Sequence, residues 1–111
     1  MKRYFFVLFI LVAACTACSH IDTDSPDCIK HSIRGFRSTT ACDDGANVRE
    51  YMFQGQMVYV FDPGTCGADM TSEVMDEGCE TLGYLGGIAG NMIINGESFT
   101  NAVYQRTIWE N

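Results

Sequence analysis

The chain has 111 residues, with 14 acidic and 7 basic side chains and a net charge of −7 at pH 7. This length fits a single domain. The acidic balance argues against nucleic acid as a partner, because nucleic acid is bound mainly through Lys and Arg on phosphates. It also argues against a polybasic grip on anionic lipid. Such a surface serves solubility first, and it suits a cationic ligand or a divalent metal second.

The first fifteen residues predict export and lipid attachment. Two basic residues precede an unbroken apolar run over residues 4–14, which is shorter than the roughly 20 residues of a permanent membrane helix. The sequence Val12-Ala13-Ala14-Cys15 resembles the lipobox of bacterial lipoproteins, in which the cysteine thiol carries a diacylglycerol thioether. We therefore expect a signal peptide over residues 1–14, a covalent lipid on Cys15 and no other cofactor. Since no aspartate follows Cys15 directly, we expect outer-membrane attachment, with no assignment of the side that the domain faces.

The cysteines predict a cross-linked domain behind a short tether. We expect the anchor and tether over residues 15–26 and a single globular domain over residues 27–111. Four cysteines lie in that domain: Cys28, Cys42, Cys66 and Cys79. In a small exported domain they are typical of two disulfides, for which three pairings are possible. We prefer Cys66 with Cys79, a short local loop, and Cys28 with Cys42, which ties the first helix to the next segment of the chain. Cys18, in the tether, is then free or paired with a second chain.

A helix is predicted over residues 26–38. In the sequence Ser25-Pro26-Asp27, the serine suits the N-cap, the proline the first helical position and the aspartate the positive end of the helix dipole. Ile29, Ile33 and Phe36 then form one apolar stripe at positions i, i+4 and i+7. His31 lies off this stripe, so we interpret it as a solvent-exposed residue and not as a metal ligand.

Residues 48–61 carry the clearest structural signal, which is two β-rich runs around Gln54-Gly55. A two-residue turn pairs Phe53 with Gln56 and Tyr51 with Val58. Both faces of this hairpin are apolar, so we expect it at the centre of an antiparallel sheet with the helix on one side. The predicted fold is therefore α+β, an N-terminal helix packed on a small, disulfide-stabilised antiparallel sheet. We interpret the aromatic side chains of the hairpin as core and not as a ligand platform.

The rest of the chain is less clearly patterned. Residues 72–78 fit either a helical turn or a short strand that ends in a turn. The glycine-rich segment 82–90 matches no phosphate-binding loop, so we interpret its glycines as positions of positive φ or of close backbone approach. Asn95-Gly96 indicates a turn, and residues 107–109 indicate a closing strand with Trp109 in the core.

Several of these segments together resemble a family of small lipoproteins, found mainly in Bacteroidota, that is known only as a domain of unknown function. The resemblance runs from Cys28 to Asn111. It rests on Cys28-Ile29, Glu50-Tyr51-x-Phe53-x-Gly55-x-x-Val58-Tyr59, Cys66 with Cys79, Gly86-Gly87-x-x-Gly90 and Ile108-Trp109. It implies the extent of the domain and its attachment to the cell envelope, and it brings no activity with it.

The function predicted from the sequence is a non-enzymatic binding or interaction module of the cell envelope. We expect the lipid to hold it at a membrane and an envelope protein to be its partner. The chain has neither the G-x-S-x-G nor the H-E-x-x-H motif. One alternative is a calcium-dependent module that uses the acidic stretch from Asp62 to Glu80, with Asp62, Asp69 and Asp76 as candidate ligands. The other alternative is a small envelope hydrolase, for which two converging carboxylates suffice.

Overall fold

The computed structural model describes residues 21–111 as one helix packed on a five-stranded antiparallel sheet, with a small two-stranded sheet besides. The helix α1 spans Asp27–Thr39, and a 3-10 turn spans Phe99–Asn101. The strands are β1 (Asn47–Phe53), β2 (Gln56–Asp62), β3 (Thr71–Asp76), β4 (Thr81–Gly86), β5 (Ile93–Ile94), β6 (Glu97–Ser98) and β7 (Val103–Glu110). The large sheet has the order β4-β3-β2-β1-β7. The α+β class is confirmed, although the helix begins at residue 27 and is therefore not at the N-terminus of the chain.

The helix forms one residue later than predicted and without the predicted cap. Pro26 occupies the N-cap position, and its carbonyl accepts the first helical hydrogen bond from Lys30 at 3.0 Å. Ser25, the predicted cap, has a buried hydroxyl without a hydrogen-bond partner among residues 21–111. The apolar stripe is confirmed, because Ile29 and Ile33 are fully buried. His31 is exposed, as predicted.

The hairpin has the predicted register. Phe53 pairs with Gln56 and Tyr51 with Val58. Gln54 and Gly55 both have positive φ, of 51° and 75°, as the tight turns that match strand twist require. The hairpin strands β1 and β2 are interior strands of the sheet, so both of their edges are paired.

The two faces of the sheet carry two separate cores, because successive side chains of a strand point to opposite sides. On the helix face, Ile29 and Ile33 pack with Tyr59, Phe61 and other buried residues. On the other face, Phe53, Val58, Val60 and Val74 pack with Ile94 and Phe99 from the connection between β4 and β7. The aromatic side chains of the hairpin are thus largely core, as predicted.

The less clearly patterned segments form the outer strands. Residues 72–78 fall mainly in strand β3, which decides between the two predicted alternatives. The predicted closing strand is the end of β7, where Trp109 is 2 % exposed and its ring contacts Phe36 edge-on at 5.9 Å. Gly87 and Gly90 have positive φ, as the interpretation of the glycine-rich segment required.

The disulfides join Cys28 to Cys79 and Cys42 to Cys66, so the preferred pairing was wrong. The preference for nearby cysteines failed because each bridge joins two elements that meet only in the tertiary structure. The start of α1 lies over the turn between β3 and β4, where the hydroxyl of Ser32 is 3.3 Å from the sulfur of Cys79. The loop after α1 lies against the loop after β2, where Cys42 donates its backbone N–H to the carbonyl of Pro63 at 2.8 Å.

The residues just before the helix pack against the domain. Ile21 packs against the core of the helix face, and Asp22 donates its backbone N–H to Ile108 of β7 at 2.9 Å. Residues 21–26, which the sequence assigned to the tether, thus contact the domain. The predicted signal peptide, Cys15 and Cys18 lie outside the described residues. No helix within residues 21–111 is long and apolar enough to cross a membrane.

Candidate functional site

The large sheet has two ends that differ in character. The hairpin end is defined by the turn between Phe53 and Gln56, and the antiparallel order places the start of β7 beside it. The Gly86 end is defined by the last residues of β2, β4 and β7 together with the first residue of β3. We take the hairpin end as the candidate binding site because an exposed tyrosine, Tyr104, contacts core aromatic rings there and a groove with two methionines opens beside it.

A row of aromatic rings runs from solvent into the core at the hairpin end. Tyr104 is 52 % exposed, and its ring centroid is 5.8 Å from that of Tyr51. Tyr51 in turn contacts Phe99 at 5.2 Å, and Phe99 contacts Phe53 at 5.1 Å. All three contacts are edge-on, which is a favourable geometry for aromatic pairs. The exposed Tyr104 ring is therefore supported by a row of aromatic rings that reaches the core.

A shallow groove opens at the same end, on the helix face. It encloses about 400 Å³ and is lined by Met52, Gly55, Gln56, Met57, Asp76, Glu77 and Gly78. Met52 and Met57 are cross-strand neighbours, and Val103, which is 60 % exposed, pairs with Met52 on the other side. Methionine side chains adapt to irregular partners, and two carboxylates border them. The groove thus suits an apolar side chain next to a cation.

Two turns that are distant in sequence brace the hairpin end. The side-chain amide of Gln54 donates to the backbone carbonyl of Asn95 at 3.2 Å, and the amide of Asn95 donates back to Gln54 at 3.3 Å. Glu97 accepts a hydrogen bond from Asn101 at 3.2 Å. Both turns were predicted from their glycines, but their contact was not, because 41 residues separate them. The contact fixes the loops that flank the aromatic row.

A row of polar side chains runs from the central strand β2 across β1 to the edge strand β7, on the helix face of the sheet. Glu50, 6 % exposed, accepts a hydrogen bond from the hydroxyl of Tyr59 at 3.0 Å and from Arg106 at 3.2 Å. Arg106 also pairs with Asp22 at 2.9 Å. Burial, followed by the hydrogen bond to Glu50, raises the pKa of Tyr59. The hydrogen bond to Glu50 is also the main cause that raises the pKa of Arg106. The row therefore acts as a structural clamp that ties the start of the fold to β7.

The three candidate calcium ligands have different local roles in the fold. Asp62 accepts the backbone N–H of Gly64 at 2.9 Å, and Asp76 accepts those of Gly78 and Glu80 at 2.9 Å. Both carboxylates thus stabilise turns, while Asp69 is exposed in the loop before β3. Within residues 21–111, no group of three or more His, Cys, Asp or Glu side chains is placed to hold a metal ion.

The sequence patterns did not reveal the exposed residues of the hairpin end. The closing strand was predicted only over residues 107–109, whereas β7 begins at Val103. The signal was present, since residues 103–109 are rich in β-branched and aromatic residues. What the sequence did not contain was the position of Tyr104 beside Tyr51, which requires the register between β7 and β1.

Comparison with known proteins places the chain in a family. No curated protein and no solved structure matches it. A family model described as a domain of unknown function, DUF6970, matches residues 34–111, which is more than two thirds of the chain and includes every strand of both sheets. The chain therefore belongs to the family with the domain of unknown function DUF6970.

Proposed function

We propose that the protein is a lipid-anchored binding module of the bacterial cell envelope that acts without catalysis. The resemblance of Val12-Ala13-Ala14-Cys15 to a lipobox supports the anchor, and the resemblance to small Bacteroidota lipoproteins supports the cell envelope. The absence of an aspartate directly after Cys15 supports the outer membrane. Acyl chains on Cys15, at about 0.8 kcal/mol per buried CH₂, hold the domain at the membrane. The partner is an envelope protein that binds the hairpin end.

The observation that carries the proposal is the exposure of Tyr104 and Val103 on a rigid support. Tyrosine is enriched at protein interfaces because it brings a large contact area at low conformational cost. Tyr104 is more than half exposed, yet its ring contacts Tyr51 edge-on and its hydroxyl lies 2.9 Å from that of Thr107. The ring is thus already ordered before a partner arrives, which lowers the entropy cost of binding.

The charge of the chain sets the chemistry of the partner. Residues 15–111 carry 14 acidic and 5 basic side chains, since two of the seven basic residues lie in the signal peptide. Glu77 is exposed at the border of the shallow groove that Met52 and Met57 line. A partner surface with apolar side chains and a basic rim therefore matches the hairpin end in both respects.

Site-specific photo-crosslinking in intact cells tests the proposal. The photoreactive amino acid p-benzoylphenylalanine is placed at Tyr104, where it keeps an aromatic ring, and at Arg34 as the control. Arg34 is exposed on the outer face of α1, away from the sheet. After irradiation, adducts are identified by mass spectrometry. We expect one dominant envelope protein on the Tyr104 variant and none on the Arg34 variant.

Two results would contradict the proposal. Irradiation of the Tyr104 variant without any adduct, at wild-type abundance, would remove the hairpin end as a binding site. The same set of adducts on both variants would show contacts by proximity alone. The calcium-dependent alternative stays a prediction and makes a separate demand: the melting temperature must rise with Ca²⁺ and return with chelator.

A further inference from the structure

The turn between β4 and β5 presents apolar side chains at its tip. The backbone closes the turn with a hydrogen bond from Gly90 to Gly87 at 3.1 Å, and Gly86 and Asn91 bond each other in both directions at its base. Ile88, at the tip, is 89 % exposed, and the next residue, Ala89, is exposed as well. Turn tips are normally occupied by Gly, Pro, Asn, Asp or Ser. An isoleucine in this position is therefore unexpected for a surface that contacts only water.

Ile88 is not an isolated apolar side chain. The chain returns from the tip through Met92, which is 44 % exposed, and Ile93, which is 53 % exposed, before Ile94 enters the core. Among residues 21–111, Ile88 is the most exposed of the large hydrophobic side chains. Ile88 and Ala89, together with Met92 directly after the bridge between Gly86 and Asn91, form the apolar tip. The turn is well braced, because the side-chain amide of Asn91 donates to the carbonyl of Tyr84 at 2.7 Å.

The start of the fold lies closer to the end of the sheet that carries the apolar tip. Asp22 is bonded to Ile108, which is two residues from the Gly86 end of β7 and five from the hairpin end. Cys15 precedes Asp22 by seven residues, which span at most about 25 Å when extended. The apolar tip follows β4, which is four strands away from β7, or about 19 Å. A membrane that holds Cys15 is therefore within reach of the apolar tip.

We propose that the apolar tip inserts into the lipid surface to which the protein is anchored, so that the Gly86 end faces the membrane. This inference rests on the proposed lipid anchor at Cys15. Short apolar side chains at the headgroup boundary add to the binding by the acyl chains and limit the rotation of the domain. The hairpin end, with Tyr104, then points away from the membrane.

The surrounding charge predicts which lipid the apolar tip prefers. Gly87 bonds the carbonyl of Met70 at 3.3 Å, and Met70 directly follows the exposed Asp69. The mature chain also has a strong excess of acidic residues. Negative headgroups repel these carboxylates at low salt. Insertion is therefore expected into zwitterionic vesicles, and it decreases when anionic lipid is added.

Tryptophan fluorescence on the full-length, lipid-carrying protein in phosphatidylcholine vesicles tests the orientation. One variant carries Ile88→Trp, and the matched control carries Val103→Trp at the hairpin end. The natural Trp109 is buried and serves as a common background. In vesicles with brominated acyl chains, we expect a blue-shifted Ile88→Trp signal that is lost by quenching, while the Val103→Trp signal stays unquenched.

The outcomes separate this inference from the proposed function. Mass spectrometry first establishes whether Cys15 carries lipid, and a chain without lipid overturns the proposed function. If lipid is present and the Ile88→Trp signal is unquenched, membrane contact by the apolar tip is overturned while the anchor stands. Equal quenching of both variants also overturns the inference, because the domain then has no preferred orientation. An envelope protein crosslinked at residue 88 in cells would overturn it too, with a protein as the occupant instead.

Discussion

Removal of Arg106 tests whether the buried polar row is a clamp. In Arg106→Gln, the carboxylate of Glu50 stays buried and keeps only Tyr59 among the donors of the row. Loss of one partner of a buried pair costs about 3–5 kcal/mol. The Arg106 side chain is one-third exposed, so solvent screens the pair in part and we expect the low end, about 3 kcal/mol. For a domain of this size, that lowers Tm by about 15 °C. Urea and thermal unfolding of the oxidised protein at pH 7 measure both values.

The double variant Glu50→Gln, Arg106→Gln is the matched control. It removes the buried charge together with its partner, so it should be more stable than Arg106→Gln alone. Asp22→Asn breaks only the pair between two partly exposed groups, and we expect it to cost less than about 1 kcal/mol. A free energy of unfolding for Arg106→Gln within about 0.5 kcal/mol of wild type, roughly the error of such a comparison, would refute the clamp. A double variant whose loss of stability equals the summed losses of Glu50→Gln and Arg106→Gln would refute it as well.

Two further predictions concern the cross-links and the phenol. Peptide mapping without reduction should recover the bridges Cys28–Cys79 and Cys42–Cys66. Replacing both cysteines of a bridge by serine should lower the free energy of unfolding by about 4 kcal/mol for Cys28–Cys79 and by about 3.5 kcal/mol for Cys42–Cys66. The two values differ because the bridges close loops of 51 and 24 residues. A linked Cys66–Cys79 peptide would contradict this. Since burial raises the pKa of Tyr59 above that of the unfolded chain, its contribution to stability is complete below about pH 10 and decreases as the pH rises further. Urea melts from pH 8 to 11 should show this loss in wild type and a smaller one in Tyr59→Phe.

The part of the fold that the sequence predicted depends on local patterns. The register of the hairpin follows from Gln54-Gly55, because a two-residue turn fixes every pair beyond it. The helix follows from the spacing of Ile29, Ile33 and Phe36. In both cases the residues that decide the structure lie within one element or one turn of it.

The part that the sequence did not predict depends on contacts between distant segments. The predicted disulfide pairing was wrong because Cys28 comes close to Cys79 only when α1 lies over the sheet. The pair between Glu50 and Arg106 is 56 residues apart and requires β7 to lie beside β1. The sequence did not decide whether residues 72–78 form a strand, and it did not predict β4. A bulge after Val74 interrupts the regular alternation of side chains between these two strands. The candidate site was therefore the least predictable part, since Tyr51 and Tyr104 become neighbours only through the pairing of β1 with β7.

The most direct test of the proposed lipid anchor is the mass of the mature N-terminal peptide, measured on protein isolated from the cells that produce it. We expect a peptide that begins at Cys15 and carries the mass of a diacylglyceryl group, and a Cys15→Ala variant that is unprocessed or lacks the lipid. A peptide that begins elsewhere, an unmodified Cys15, or normal lipid labelling of Cys15→Ala would contradict the lipid anchor.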